Sequence, residues 1–303
     1  MSELPKSLKV VSLPEKYQGD RFSTASELVA ETSYKIIEPD SQSTWGYVSI
    51  DNTQRGPGLG GIRMVQNLSS NEIMRLARVM TLKNSAACLP YGGAKAGIIL
   101  KSSELIESSA YREELFEKLA DCLFELPSYA PAPDMGTNEK DIQLIHNNHS
   151  HKLGAEKHSR GGAGRPHENG GVPIDDWELT AHGLFSAAKV LASIDEKLNL
   201  SGTKFVVQGF GNVGAPTAIK LQELGAILVG ASDINVALWN PNGLDPIALN
   251  KIRKEYGGLT NYPLKVTKRF SSDKLDWLLE APCDILIPSA RPDAITARNA
   301  DRI

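Results

Sequence analysis

Cysteine is scarce: Cys88, Cys122 and Cys283 stand far apart in a chain of 303 residues. Three widely spaced thiols exclude a disulfide scaffold and suit free cysteines in a reducing compartment. Long hydrophobic runs are absent, and no stretch approaches the roughly 18–20 apolar residues that a membrane span requires. A charge of one sign is absent as well. Lys and Arg number 33 against 36 Asp and Glu, a net of -3, so composition favours neither nucleic acid nor an anionic membrane as partner. The opening MSELPKSLKVVSLPEK has no apolar core flanked by basic residues and resembles no signal or transit peptide. A cytoplasmic protein is the expectation.

Length predicts about two domains, and 41% hydrophobic residues are enough to give each a core. Residues 1–45 are mixed and polar, with a possible short helix near Ser23–Thr32. Gly46–Ile50 has strand character and leads to a glycine-rich turn, RGPGLGGIR, at Arg55–Arg63. Ser69 and Glu72 fit a capping box. Ile73, Leu76, Ala77 and Met80 carry helical spacing to about Ala87, before Pro90. A second glycine-rich segment, Pro90–Gly97, opens into the strand Ile98–Leu100. Tyr111–Phe124 reads as an amphipathic helix. Pro127, Pro131 and Pro133 enforce an extended run before Asp134, and a helix follows from Asn138 to His146. Residues 150–173 have the Gly, His and charge content of a hinge, and Asp175–Ile194 reads as a long helix.

From Thr203 the pattern is strand, glycine turn, helix, strand. Gly209, Gly211 and Gly214, with Asn212 and Val213 between them, follow the β-rich Phe205–Gln208 and open a helix. This is the context that the dinucleotide fingerprint requires. Small residues admit the pyrophosphate to the backbone, and the helix N-terminus presents unpaired N–H groups to it. Asp233, at the end of the second strand, is placed to take a ribose 2′-hydroxyl, which favours NAD while leaving NADP possible.

Lys83 and Lys95 flank the PYGG turn. Lys83, three residues past Met80, falls off the polar face of its helix, and Lys95 falls within a glycine-rich loop. A lysine forced into an apolar cleft beside a second cation loses its proton more readily and can serve as a base. Both also read as solvated loop lysines. Asp134 reads either as a fixed carboxylate or as a helix N-cap. His146, His149, His151, His158 and His167 read as loop histidines rather than metal ligands, and no metal is expected. Cys88 and Cys122 read as core fillers in helical contexts.

RGPGLGGIR, MTLKNSAACLPYGGAKAGI, PAPDMGTNE, GRPHENGG, VVQGFGNVG and CDILIPSA occur in this order, and together they resemble the Glu/Leu/Phe/Val dehydrogenase family. The resemblance runs from about Gly46 to Ile303. It implies NAD(P)-dependent oxidative deamination of an L-amino acid to the 2-oxo acid and ammonia, in a homo-oligomer. It further implies Lys95 as the lysine that activates water and Asp134 as the proton shuttle at the amine. Lys83 would hold the substrate α-carboxylate, and Gly60 and Gly61 would border the substrate. Thr180, Ser289 and Ala290 would lie near the nicotinamide.

Leu59 stands where glutamate-specific members carry a lysine, and Thr180-Ala181 replaces their usual Thr-Gly. Both favour an apolar substrate such as Leu, Val or Phe, whereas the PYGGAKAGI and PAPDMGTNE segments lean to glutamate. Asp293 replaces a usual Asn. The family continues past the position of Ile303, so a truncated or non-catalytic cofactor-binding member is the alternative of another class. The expected architecture is α/β: a substrate-binding and oligomerisation domain over 1–160, a linker over 161–174 that hinges a cleft, and a Rossmann-type domain over 175–303 that is C-terminally incomplete.

Overall fold

The computed structural model describes residues 4–13, 30–102, 108–154, 163–164, 167, 171–195, 198–263, 268–291 and 293–303. Two compact units divide the chain, Met1–Pro173 and Ile174–Ile303. The architecture is α/β in both.

In the first unit, β1 (Lys9–Ser12), β2 (Thr32–Ile37), β3 (Thr44–Asn52), β4 (Gly58–Val65), β5 (Gly92–Ile99) and β6 (Tyr129–Pro133) form one sheet. Their order is β1-β2-β3-β5-β4-β6. The first three strands and β5 pair antiparallel, and β4 pairs in parallel with both β5 and β6. Helix α1 (Ser70–Ala86) crosses from β4 to β5, and α2 (Ser109–Phe124) from β5 to β6. Helix α3 (Glu139–Leu153) follows β6. The main core joins Ile62, Met64, Ala94, Ala96 and Ile98 with Leu115, Phe116, Leu119, Ile142 and Ile145. Of the helix expected near Ser23–Thr32, residues 23–29 lie outside the described residues, and Thr32 begins β2.

Both segments expected as glycine turns are strands. In β5 the residues alternate faces, and Gly93, Lys95 and Gly97 share one. A Cβ on Gly93 would lie 2.1 Å from the Thr81 nitrogen, and one on Gly97 would lie 2.8 Å from Ile73 Cδ1. The glycines therefore serve close helix–sheet contact rather than a turn. They let α1 lie directly on β5. In β4, a Cβ on Gly60 would lie 1.6 Å from the Ala94 carbonyl oxygen.

Ser69 caps α1 by accepting from the Glu72 N–H at 3.2 Å, but the Glu72 carboxylate is taken by Arg63, so the expected box is half made. The reciprocal box lies on α3, between Asn138 and Asp141. His146 and His149 are buried helical residues of α3 rather than loop residues, and the His149 Nε2 lies 2.9 Å from the Ala120 carbonyl oxygen. His151 is exposed in the last turn of α3 and His167 is exposed, while His158 lies outside the described residues. Cys122 is in the core, where burial pushes its thiol up to about 12. Cys88 departs from the reading. It is exposed past the end of α1, at φ +54°.

In the second unit, α4 (Leu179–Ile194) precedes β7 (Lys204–Gln208), α5 (Gly214–Glu223), β8 (Ile227–Ser232) and β9 (Val236–Trp239). Helix α6 (Pro246–Tyr256), β10 (Lys268–Ser271) and β11 (Ile285–Pro288) follow. Helix α4 starts four residues later than expected because Glu178 sits at φ +52° in the left-handed region, its carboxylate 3.0 Å from Lys220 Nζ. The sheet order is β10-β9-β8-β7-β11. The β8–β7–β11 centre is parallel, as a dinucleotide fold demands. Beyond β8 the sheet departs from that pattern, since β9 returns antiparallel through a short turn and β10 pairs antiparallel with β9.

Gly60→Ala is expected to lower stability by about 3 kcal/mol through overpacking. Gly183→Ala, in the interior of α4 with nothing near its would-be Cβ, is expected to raise it by about 0.5–1 kcal/mol. Urea midpoints of the two variants check both.

Candidate active site

Ile62 pairs with Ala96, so the preceding Gly61 and Lys95 share a level on adjacent parallel strands. Leu59, Gly61 and Arg63 alternate onto that face of β4. Asp134 follows immediately on the end of β6, which pairs with the other edge of β4. Three neighbouring strands thus deliver Lys95, Arg63 and Asp134 to one place. A Cβ at Gly61 would meet Asp134 Cβ at 2.6 Å, which leaves glycine as the residue that fits between them.

Lys95 is buried, and its Nζ lies 3.1 Å from Asp134 Oδ2. Arg63 Nε donates to the same oxygen at 2.8 Å, while its Nη1 donates to Glu72 Oε1 at 2.5 Å. No donor among the described residues reaches Asp134 Oδ1. Burial pulls the Lys95 ammonium below its usual range. The Asp134 carboxylate resists that pull, whereas the charges of Arg63 and Lys83 assist it. For Asp134, burial alone would raise the carboxyl, but Lys95 and Arg63 outweigh it and hold it below the usual carboxylate value. Lys95 is therefore neither a loop residue nor a solvated one. Asp134 is not an N-cap, since Asn138 caps α3.

Lys83 follows the solvated alternative, on a helix rather than in a loop. It is exposed in the last turn of α1, yet its charge is felt at Lys95. Its neighbour Asn84 is buried and donates to the carbonyls of Leu59 at 3.3 Å and Gly92 at 2.6 Å, tying β4 to β5. The buried Tyr129 hydroxyl donates to the Gly60 carbonyl at 2.9 Å, and burial together with the Asp134 charge keeps this phenol protonated. Leu59 is buried in a small cluster with Ala130 and Ala132, against which Tyr91 and Ala163 pack. Arg63, Asn84 and Tyr129 went unread in the sequence. The signal for Arg63 was its place on the Leu59–Gly61 face, visible only once RGPGLGGIR is read as a strand.

In the second unit the three glycines do different work. Gly209 sits at φ +92°, and a Cβ there would lie 2.7 Å from Ala290 Cα. At Gly214 it would lie 2.2 Å from the Gly209 carbonyl oxygen and 2.8 Å from Ser289 Oγ. At Gly211 it would meet nothing within 4 Å. Two glycines bring α5 and β11 close to β7, and the third leaves a backbone cradle open at a helix N-terminus, which fits a pyrophosphate. Ser289 Oγ lies 3.0 Å and 2.9 Å from the Gln208 and Gly209 carbonyl oxygens, fastening β11 to the turn.

Asn212 is exposed, and its Oδ1 accepts from Arg253 Nη1 at 3.4 Å. Val213 is half-buried, at the N-cap of α5. Thr180 is exposed in the first turn of α4. Asp233 is half-buried and already accepts three backbone N–H groups, from Asn235 and Val236 on Oδ1 and from Leu259 on Oδ2. Asp293 adopts φ +55°, in the left-handed region that Asn and Asp enter more readily than most residues.

The family model for the Glu/Leu/Phe/Val dehydrogenase dimerisation domain matches residues 27–151, and that for Glutamate/Leucine/Phenylalanine/Valine dehydrogenase matches residues 170–303. The chain belongs to the Glu/Leu/Phe/Val dehydrogenase family. Among its relatives, a glutamate dehydrogenase of Aeropyrum pernix is 34% identical over 280 residues, 91% of this chain and 64% of that protein. An NADP-specific glutamate dehydrogenase of Saccharolobus shibatae is 31% identical over 262 residues, 85% of this chain and 59% of that protein. The chain thus spans less than two thirds of the length of these relatives. The hetero-hexameric glutamate dehydrogenase of Thermus thermophilus, in a Leu-bound form, superposes with a TM-score of 0.71 at 26% identity, covering 99% of this chain and 65% of that one. Lys83, Lys95 and Asp134 fall within the first family match and the Gly209–Gly214 turn within the second.

The Asp134 carboxyl lies below its ordinary 3.8 in the folded protein. Its contribution to stability is therefore complete above that value and is lost as pH falls through the depressed folded value. Asp134→Asn is expected to cost on the order of 2 kcal/mol at neutral pH and to converge with wild type as pH falls from the ordinary carboxyl value through the depressed folded one. Urea midpoints across that range read the gap, and a gap constant with pH would contradict the assignment.

Proposed function

We propose that this chain carries the catalytic core of an NAD(P)-dependent dehydrogenase that deaminates an L-amino acid to its 2-oxo acid and ammonia. The observation that carries the reading is the buried Lys95 ammonium on Asp134, whose second oxygen no donor among the described residues reaches. A buried lysine that sheds its proton readily can activate water against an iminium carbon. An ionised carboxylate with one oxygen to spare can accept a proton from the substrate amine and return it to the departing nitrogen. Lys83, exposed but close enough to influence Lys95, supplies a cation for the α-carboxylate. The Gly60 and Gly61 backbone borders the substrate, with Tyr129 fixing the Gly60 carbonyl.

The open backbone at Gly211 fits the pyrophosphate of a dinucleotide. A bound nicotinamide would supply the hydride acceptor, and Thr180, Ser289 and Ala290 of the second unit are assigned to the nicotinamide end of the cofactor. The Asp233 carboxylate favours NAD, and Arg253 beside Asn212 is the basic group through which NADP would be accommodated. Neither choice needs a metal.

For the substrate side chain we favour an apolar group. Leu59 lies among Ala130, Ala132 and Tyr91, and a glutamate carboxylate buried there without a counter-charge would cost several kcal/mol. The second reading, glutamate, is favoured by the names of the two relatives. A homo-oligomer is proposed from the dimerisation-domain match, and a cytoplasmic site of action from the composition.

NADH formation at alkaline pH with separate Leu, Val, Phe and Glu tests the reading. Turnover is expected, fastest with an apolar substrate, and fastest turnover with Glu would select the second reading. Lys95→Ala is expected to abolish turnover while NADH binding, followed by fluorescence, persists; a variant with normal rates would remove Lys95 from the mechanism. Leu59→Lys is expected to raise the glutamate-to-leucine activity ratio at least about tenfold, about 1.4 kcal/mol of preference, and an unchanged ratio would exclude Leu59 from the pocket.

A further inference from the structure

Arg63 is absent from the roles assigned above, yet it is buried and makes two ion pairs. Its side chain is 7% exposed and spans two carboxylates, Asp134 at 2.8 Å and Glu72 at 2.5 Å. Burying a guanidinium is costly, and arginine cannot relieve the cost by losing its proton. Lys95 and Arg63 both address Oδ2 of Asp134, from β5 and β4. Charges therefore alternate along a chain of four groups: Lys95, Asp134, Arg63, Glu72.

We infer that Arg63 is a positioning residue for the Lys95–Asp134 pair: it neutralises Asp134 through Oδ2, so that Lys95 can give up its proton while the carboxylate stays ionised with Oδ1 left for the substrate amine. The inference rests on the dehydrogenase reading. Without Arg63, Lys95 would be the only cation among the described residues in contact with Asp134, and their attraction would hold its proton in place. With Arg63 present, Asp134 keeps a permanent partner whichever state Lys95 adopts. Glu72 completes the device by anchoring the far end of the guanidinium at the N-terminus of α1, where Ser69 fixes its backbone.

Among the described residues the charged and titratable groups around Lys95 lie on β4, α1 and β6 and on β3, where Asp51, two residues from the Ser49 that pairs with Lys95, is held by Thr81 and Arg78. Arg63 on β4 and Lys83 on α1 both press its proton off, Asp134 after β6 holds it on, and Tyr129 on β6 is a neutral phenol that donates to Gly60. Lys83 is exposed and screened by solvent, so Arg63 is the buried group able to set the balance. The direction matches the geometry: Lys95 is drawn below its usual range although it touches a carboxylate.

The experiment is an NMR titration of Lys95 in the full chain labelled with carbon-13 at the lysine ε-carbons, with Lys95→Ala identifying the resonance. Arg63→Met is expected to raise the Lys95 midpoint by about one unit and to move the acid limb of the kcat/KM profile to higher pH by the same amount. Arg63→Lys, which keeps the charge, is expected to restore most of the wild-type midpoint. A merely structural role would lower stability in both variants and leave the midpoint where it was. If Arg63→Met does not fold, Arg63→Met/Glu72→Gln removes the paired charges together and is read in the same way. An unmoved midpoint in a folded variant lacking the Arg63 charge, or an equal rise in Arg63→Lys, would overturn the inference. Absence of turnover in the wild-type chain would count against the dehydrogenase reading alone, because the Lys95 midpoint reports on Arg63 with or without turnover.

Discussion

The contact of α1 with β5 governs the first unit. Gly93 and Gly97 have no side chains, so Thr81 and Ile73 sit directly on the strand, and Lys95, the residue between them on that face, is shut away from water. Thr81 is itself held, since its hydroxyl donates to the buried Asp51 of β3 at 2.5 Å and Arg78 Nε reaches the other Asp51 oxygen at 3.0 Å. The helix is thus tied to β3 and pressed on β5. A lysine in this position must lose its charge or find a carboxylate. Asp134, placed at the end of β6, is that carboxylate, and Arg63 and Glu72 continue the compensation outward. Much of what is polar around Lys95 follows from the decision to bury it.

The second unit solves a different problem with the same residue type. Gly209 and Gly214 close the β7–α5 turn against Ala290 and Ser289, while Gly211 keeps a stretch of backbone uncovered. Beyond β8 the chain turns back as β9 instead of crossing over, and Asp233 is recruited to hold that turn through Asn235, Val236 and Leu259. A carboxylate read as a nucleotide ligand therefore has a structural duty first. With both of its oxygens already engaged, it is a fixed and oriented acceptor.

Both the α/β class and the strand–turn–helix–strand core of the second unit were legible from glycine spacing and apolar periodicity, because these are local patterns. Lys95 and Asp134 were legible as candidates, but the residues alone left a solvated lysine and an N-cap equally open. What decided them lies far off in sequence: Thr81 and Ile73 over the strand, and Arg63, 71 residues from Asp134. The glycine-rich segments were misjudged because glycine signals both turns and close approach. The alternation Gly93, Lys95, Gly97 was the period-two clue that separates the two uses. Cys88 and the buried His146 and His149 were missed for a related reason. Helix α3 runs to Leu153, seven residues past His146, and so carries His149 on its buried face, while α1 stops at Ala86, two residues short of Cys88.

Leu59 belongs to a satellite cluster with Ala130 and Ala132, apart from the main core of Ile62, Phe116 and Ile142. The residue proposed to meet the substrate side chain is thereby uncoupled from the packing on which folding depends. Exchanges at Leu59 and its few neighbours leave both the principal core and the Lys95–Asp134–Arg63–Glu72 chain untouched. On the proposed dehydrogenase reading, a lineage built on this scaffold can drift from one amino acid to another by small steps while the chemistry at the α-carbon is conserved. Preference becomes the labile trait and reaction type the stable one.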